Sequence, residues 1–305
     1  MDQNGSFQLR QVLEKEELFV LAARIKNNFP YCIQMYNTVL INARGLSDGF
    51  MYEFYVPKDY PESHIIIWRT LVQRRGMSLY CTEDEVPLLI KLIKGKHFLS
   101  LLSEAPLYIK FLSNYQVDPV LEALQEILQK PLQKHVDKAF VYASQQDNIL
   151  RCPAGMKVQR LGRAGVRHML EPNPYWKNTS LDLVCNLAEN LPALGLYQDS
   201  EVSEGKVIAL NELEYAEPED IPISCVGTSP YGSISMLRTE DNYKRRGLAS
   251  LLVEIMGRLH MADGYLPHAV VEAENDASAR VFRKVSGWKE SHTIYLIIPP
   301  EGTIA

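Results

Sequence analysis

The stretch Ser233-Ile-Ser-Met-Leu-Arg-Thr-Glu-Asp-Asn-Tyr-Lys-Arg-Arg-Gly-Leu-Ala-Ser250 decides how the chain is read. Residues 233–239 predict a strand, a polar turn follows, and residues 247–262 predict an amphipathic helix. Three features of the join point to an anion site. A loop entering a helix leaves several backbone N–H groups without partners, and such groups bind phosphate. Gly247 permits close approach of a ligand to the backbone, and Ala249 keeps the first helical turn small. Lys244, Arg245 and Arg246 sit at the positive end of the helix dipole. That placement costs the helix about 0.3–1 kcal/mol each unless an anion neutralises them. The competing reading is a solvated basic turn before an ordinary helix.

Outward from this segment, residues 269–273 predict a strand running on to Asn275. A short helix at 277–285, the pair Gly287-Trp288 and a last strand at 293–298 complete the C-terminal end. Upstream lie predicted strands at 157–161, 193–197 and 223–228, with helices at 164–170 and 180–189. Between them, residues 199–222 are acidic, with Glu201, Glu204, Glu212, Glu214, Glu217, Glu219 and Asp220. Such runs are usually solvated, and the embedded 207–213 stays undecided. Turn chemistry at Cys152-Pro153-Ala154-Gly155 marks a boundary. Before it, a helix at 11–27 ends at Phe29-Pro30. Strands at 39–41, 51–56, 64–68 and 77–81 follow. A helix at 83–94 starts behind a Thr82…Glu85 capping box. Another at 118–135 is read with Asp118 as cap and Pro119 at the first helical position. Residues 139–143 predict one more strand. The expectation is an α/β protein with domains at 1–150 and 151–305.

With 305 residues the chain suits one large domain or two ordinary ones. Its net charge of −5 argues against general nucleic-acid binding, which needs a basic face. No apolar run approaches the roughly 18 residues of a membrane span, and the first residues lack the order of a signal or transit peptide. A cytoplasmic protein is expected. The five cysteines are scattered with no CxxC, so neither a disulfide framework nor a metal site is expected. Asn178-Thr179-Ser180 is a formal glycosylation sequon, read as polar surface. A second basic segment, Gln73-Arg74-Arg75-Gly76, leads into a predicted strand rather than a helix. Without a helix N-terminus it reads as a turn between strands.

The order of strand, basic Gly loop, helix, strand ending in Asn, and short helix resembles the GCN5-related N-acetyltransferase (GNAT) superfamily. That resemblance implies a splayed mixed β-sheet flanked by helices. It also implies that acetyl-CoA, or another acyl-CoA, binds in the gap as co-substrate. Lys244, Gly247 and Ala249 occupy the superfamily's [Gln/Arg]xxGx[Gly/Ala] pattern, with Lys as a departure in the first place. By resemblance, Arg245, Arg246, Gly247, Leu248, Ala249 and Ser250 form the pyrophosphate loop. Leu237, Arg238 and Thr239 present the strand edge that pairs with the pantetheine arm. Asn275, Ala279 and Phe282 match the Asn-to-Tyr segment, and Gly287-Trp288 the Gly-Phe pair with one extra residue before it. Residues 156–197 are similar to the glycine N-acyltransferase-like, or FR47-like, branch. Its members carry an N-terminal domain of the kind expected at 1–150.

The implied reaction moves an acyl group from CoA to an amine, of a small molecule or an amino acid. Proton handling departs from the pattern. Ser233 stands where relatives place a general-base Glu, and Phe282 where they place a proton-donating Tyr. Glu272, Tyr231 and Tyr295 are alternatives for these roles, each with a structural reading beside it. A non-catalytic acyl-CoA-binding protein is the second reading. A scaffold without CoA is the third, and it leaves the three cations before a helix unexplained. The acidic stretch could steer a cationic acceptor.

Overall fold

The computed structural model describes residues 7–70, 72, 76–102, 108–143, 149–173, 176, 179–201 and 206–300. The chain divides into two compact units, 1–138 with 292–305, and 139–291. The first holds β1 (Leu9–Val12), α1 (Lys15–Ile25), α2 (Ile33–Ala43), β2 (Tyr52–Pro57), β3 (Ile66–Thr70), β4 (Met77–Tyr80), α3 (Val86–Ile93), α4 (Lys96–Leu102), β5 (Ile109–Leu112) and α5 (Asn114–Leu128). After β6 (Gln133–Tyr142), the second holds β7 (Met156–Arg160), α6 (Arg163–Leu170), α7 (Leu181–Asn190), β8 (Leu194–Gln198), β9 (Ser224–Thr228), β10 (Ile234–Thr239), α8 (Leu248–Ala262), β11 (His268–Glu272) and α9 (Asp276–Lys284). β12 (Trp288–Ile298) closes the chain, and the division between units falls inside β6 and β12. The element order of the first unit, strand, two helices, three strands, helical segment, strand, helix, strand, recurs in the second.

In the first unit β1 to β4 are joined antiparallel, β4 and β5 are parallel, and β5 is antiparallel to β12. Ile65, Ile67, Leu79, Leu92, Phe98 and Leu124 centre its core. Three expectations are corrected here. Residues 39–41 lie in α2, not in a strand. Every residue of that helix except Asn42 is buried, so it carries no polar stripe to betray its period. Residues 9–12, partly assigned to a helix, form edge strand β1. The helix expected at 118–135 starts at Asn114 and stops at Leu128. Its cap is Ser113, in a box with Gln116: the Ser113 N–H and hydroxyl donate to Gln116 Oε1 at 3.0 and 2.8 Å. Pro119 therefore sits inside the helix, forgoing one ladder bond. The box expected at Thr82 is present on both sides.

In the second unit, β7 to β10 form an antiparallel sheet in the order β10-β9-β8-β7. Leu252, Val253, Ile255 and Met256 of α8 pack with Leu194, Leu196, Val226 and Ile234 in one core. Val166, Met169 and Val184 of α6 and α7 form another with Tyr197, Cys225 and Met236. Gly195 is required by packing: a Cβ there would meet Tyr197, Pro222 and Leu161 at 2.7, 2.8 and 2.9 Å. β11 lies near β10 but belongs to a different sheet. The expected parting of these two strands is present. Among the described residues, it leaves the outer edge of β10 without a strand partner.

Candidate functional site

β10 carries the first element of the site. Its pairing with β9 slips between Ser235, opposite Gly227, and Arg238, opposite Cys225, so β10 has one residue more than its partner. Met236, with φ of 58°, takes up that extra residue. A bulge of this kind bends the strand and leaves backbone groups out of the ladder. Beyond it, the Thr239 hydroxyl lies 2.8 Å from Ser224 Oγ, which also donates to the Arg238 carbonyl at 3.0 Å. The strand end is thus tied to β9 through Ser224.

The loop after β10 turns into α8 at Gly247. Gly247 has φ of 82°, and a Cβ placed there would have nothing within 4 Å. Glycine is needed here for the left-handed backbone, not for lack of room. The open space lies in front of the helix. The first helical bond runs from the Leu251 N–H to the Gly247 carbonyl at 3.0 Å. The amides of Leu248, Ala249 and Ser250 precede the ladder, and a glycine cap has no side chain to receive them. Arg245 also has positive φ, 65°, and its side chain is exposed. The Arg246 guanidinium sits 5.1 Å over the Tyr243 ring and donates to the Asn242 carbonyl at 2.8 Å. Lys244 pairs with Asp241 at 2.6 Å, and that bond holds the Asp241 carboxyl below its ordinary range. Lys244 is therefore ion-paired, and Arg246 hydrogen-bonded, inside the loop.

The remaining sequence-predicted residues fall into two groups. Asn275 caps α9, accepting the Ser278 N–H at 3.1 Å. Ala279 and Phe282 point into the core. Phe282 stacks on Phe140 at 5.4 Å and meets Trp288 edge-on at 4.9 Å. These three hold α9 against the unit, and Phe282 offers no proton. Ser233 lies in the β9–β10 turn, its hydroxyl 2.7 Å from that of Ser229. Ser229 Oγ also accepts the Ser233 and Tyr231 amides at 3.2 and 3.3 Å. Glu272 is half-buried at the end of β11. Tyr295 belongs to the first unit, opposite Leu112 in the β12–β5 ladder. Glu201, Glu212, Glu214, Glu217 and Glu219 are exposed, while Glu204 is outside the described residues. So are Gln73, Arg74 and Arg75; beside them, the Thr70 N–H donates to the Gly76 carbonyl across the β3–β4 turn.

Two features escape the sequence. His168 of α6 reaches Glu240 at 2.9 Å, and Glu240 also pairs with Arg238 at 3.0 Å. A second guanidinium nitrogen of Arg238 donates to the His168 carbonyl. Seventy positions separate His168 from Arg238, so no spacing motif could reveal the cluster. A cavity of about 400 Å³ opens beside β7, at the sheet edge remote from β10. There Lys157 faces Asp199 at 3.5 Å, and the buried Cys152 thiol donates to the Met156 carbonyl at 2.9 Å.

The first unit answers the same topological position differently. After β4 comes Thr82-Glu83-Asp84-Glu85 where β10 is followed by the basic loop. The Glu85 carboxylate accepts from the Thr82 amide and hydroxyl, the Ser63 hydroxyl and the His64 amide, at 2.8–3.2 Å. The chain's own carboxylate fills that helix start.

Residues 223–296, from the approach to β9 into β12, match the family model described as FR47-like protein. Over these 74 of its 305 residues the chain is similar to the FR47-like family, and its fold matches that of GNAT structures. Solved structures extend the likeness in fold to the whole chain. A Drosophila protein is 15% identical, with a TM-score of 0.69 over 95% of this chain and 97% of its own. A GCN5-related N-acetyltransferase from Sphaerobacter thermophilus is 14% identical, with a TM-score of 0.55 over 95% and 94%. A comparison with curated proteins returned no match. Among the described residues, no helix is long and apolar enough to cross a membrane, and no three His, Cys, Asp or Glu side chains are grouped to hold a metal.

Proposed function

We propose that the second unit binds an acyl-CoA and transfers its acyl group to an amine of a small molecule or amino acid. The observation that carries this reading is the start of α8: free amides, an open glycine and exposed cations beside the unpartnered edge of β10. The amides of Leu248 to Ser250, with Arg245 and Arg246, would hold the pyrophosphate. The backbone of Leu237, Arg238 and Thr239 would pair with the amides of the pantetheine arm. The co-substrate supplies an activated thioester carbonyl.

The protein's own share is positioning and proton handling. Holding the amine against the carbonyl can supply about 7–11 kcal/mol of the barrier. A backbone N–H freed at the Met236 bulge can stabilise negative charge on the carbonyl oxygen. The amine must lose a proton as the new C–N bond forms, and the departing CoA sulfur must gain one. Glu272 is the carboxylate proposed to take the amine proton, directly or through water. The occupied hydroxyl of Ser233 and the core-bound ring of Phe282 favour a second reading, a domain that binds acyl-CoA without turnover.

Calorimetric titration with CoA and acetyl-CoA, followed by thiol release from acetyl-CoA over an amine panel, separates these. One CoA per chain is expected, because Glu85 blocks the matching position of the first unit. Two per chain would remove that assignment. Binding with no thiol release from any amine would favour the second reading. No binding would remove both.

A further inference from the structure

We propose that the cavity beside β7 binds a short linear peptide of about three residues in extended form, its carboxylate at the Lys206 end and its ammonium at the Glu214 end. The cavity, of about 400 Å³, lies at the outer edge of β7, which ends the sheet order β10-β9-β8-β7. The acyl-CoA reading above uses the opposite edge of that sheet, and this inference does not depend on it.

The backbone around the cavity leaves room for a strand. At one end the Arg160 N–H donates to the Glu214 carbonyl at 2.8 Å, and the Arg160 carbonyl accepts the Ala216 N–H at 2.9 Å. At the other end the Cys152 N–H donates to the Lys206 carbonyl at 2.8 Å, and the Cys152 thiol to the Met156 carbonyl at 2.9 Å. Between these ties the covering segment makes a single tight turn at Leu210–Glu212 instead of a strand. Peptide groups alternate along a strand, so Val158, two residues before Arg160, turns its N–H and C=O to the same outer edge. Val158 lines the cavity, and its N–H faces the Cys152 sulfur, a weak acceptor. A peptide carbonyl is a better one. Met156, Val158, Ile208 and Leu213 supply an apolar floor continuous with the core under α8.

The charges specify the two ends. Lys206, Glu212 and Glu214 are exposed, and among the described residues none of the three has an ion-pair partner. Lys157 is matched by Asp199 at 3.5 Å and adds little net charge. Lys206 stands beside the Met156 end of β7 and Glu214 beside Arg160. Those ends are four residues apart, roughly 13 Å along a strand. Three extended residues span about 10 Å, and the flexible Lys and Glu side chains can close the remainder. A ligand charged with one sign throughout would be repelled at one end. An uncharged one would leave both ends unmatched. An extended zwitterion with backbone amides meets the cation, the carboxylates and Val158 together.

The test is calorimetric titration of the full chain with trialanine, its C-terminal amide and its N-acetyl derivative. Trialanine is expected to bind, and loss of either terminal charge to weaken it by about 2–5-fold, the value of one exposed ion pair. Lys206→Met is expected to weaken trialanine by a similar factor and leave the amide unchanged. Glu214→Gln is expected to weaken trialanine likewise and leave the N-acetyl form unchanged. Saturating CoA should not displace the peptide. No saturable binding of trialanine, equal affinity for the free and capped peptides, or displacement by CoA would overturn the assignment. So would variants that weaken free and capped peptides alike. The wild-type comparison of the three peptides decides the matter alone if a variant fails to fold. The peptide titration needs no CoA, so its outcome is independent of the acyl-CoA reading.

Discussion

Gly247→Glu isolates the anion site from the stability of the fold. The left-handed backbone at Gly247 costs a residue with a side chain about 1–2 kcal/mol. Nothing lies within 4 Å of the new Cβ, so no packing penalty adds to this. A carboxylate at the start of α8 recovers about 0.3–1 kcal/mol from the dipole. The net loss is then at most about 2 kcal/mol, and a cooperative unit of this size should melt no more than about 8 °C lower. CoA at a hundred times its dissociation constant adds about 2.7 kcal/mol to the wild type, or about 5–11 °C. The introduced carboxylate would place its charge where the pyrophosphate is expected and should remove that shift entirely. Gly247→Asn tolerates the left-handed backbone better than Glu and adds no charge, and should keep a reduced shift. The assay is thermal denaturation against CoA concentration for all three proteins. A full CoA shift in Gly247→Glu would refute the placement of phosphate at this helix.

Three further outcomes are expected. The buried His260 imidazole, its Nε2 2.8 Å from Thr228 Oγ1, is pushed down to about 3 by loss of solvent and by nearby His268. The unfolded chain takes up that proton first as pH falls. The stability from keeping His260 neutral is therefore whole above about pH 6.5 and drains between there and about 3, by at most about 1.4 kcal/mol per pH unit. Urea midpoints at pH 7 and 5 should differ less in His260→Gln than in the wild type; equal differences would refute this. Gly195→Ala should cost about 1–3 kcal/mol through its contacts with Tyr197, Pro222 and Leu161, seen as a lower urea midpoint at unchanged slope. Phe282→Ala should cost about 3–5 kcal/mol, because the ring is packed between Phe140 and Trp288. A stable Phe282→Ala protein that had lost CoA affinity would instead assign the ring to the ligand.

Much of the second unit was legible in local order. The run from Ser233 to Ser250 states its strand, turn and helix through period changes and one glycine, and α8 begins beside that glycine. In the first unit, Thr82 announces a helix start in the same way. Local signals failed where burial erased the period, as in α2, or where two adequate caps competed, as Ser113 did with Asp118.

The sequence by itself determined the α/β class, the basic loop at a helix start and the glycine at that start, because each depends on residues within one or two turns of chain. Only the tertiary structure decided what each hydroxyl and ring is free to do. Phe282 is held in the core by Phe140 and Trp288, and Ser233 is bonded to Ser229. Lys244 is bound to Asp241, and Arg238 is tied to His168 and Glu240 across a long sequence separation. The Ser235 hydroxyl, unremarkable as a letter, has no hydrogen-bond partner among the described residues beside the bulge. Hydrogen-bond satisfaction is set by neighbours in space, and sequence spacing does not record them.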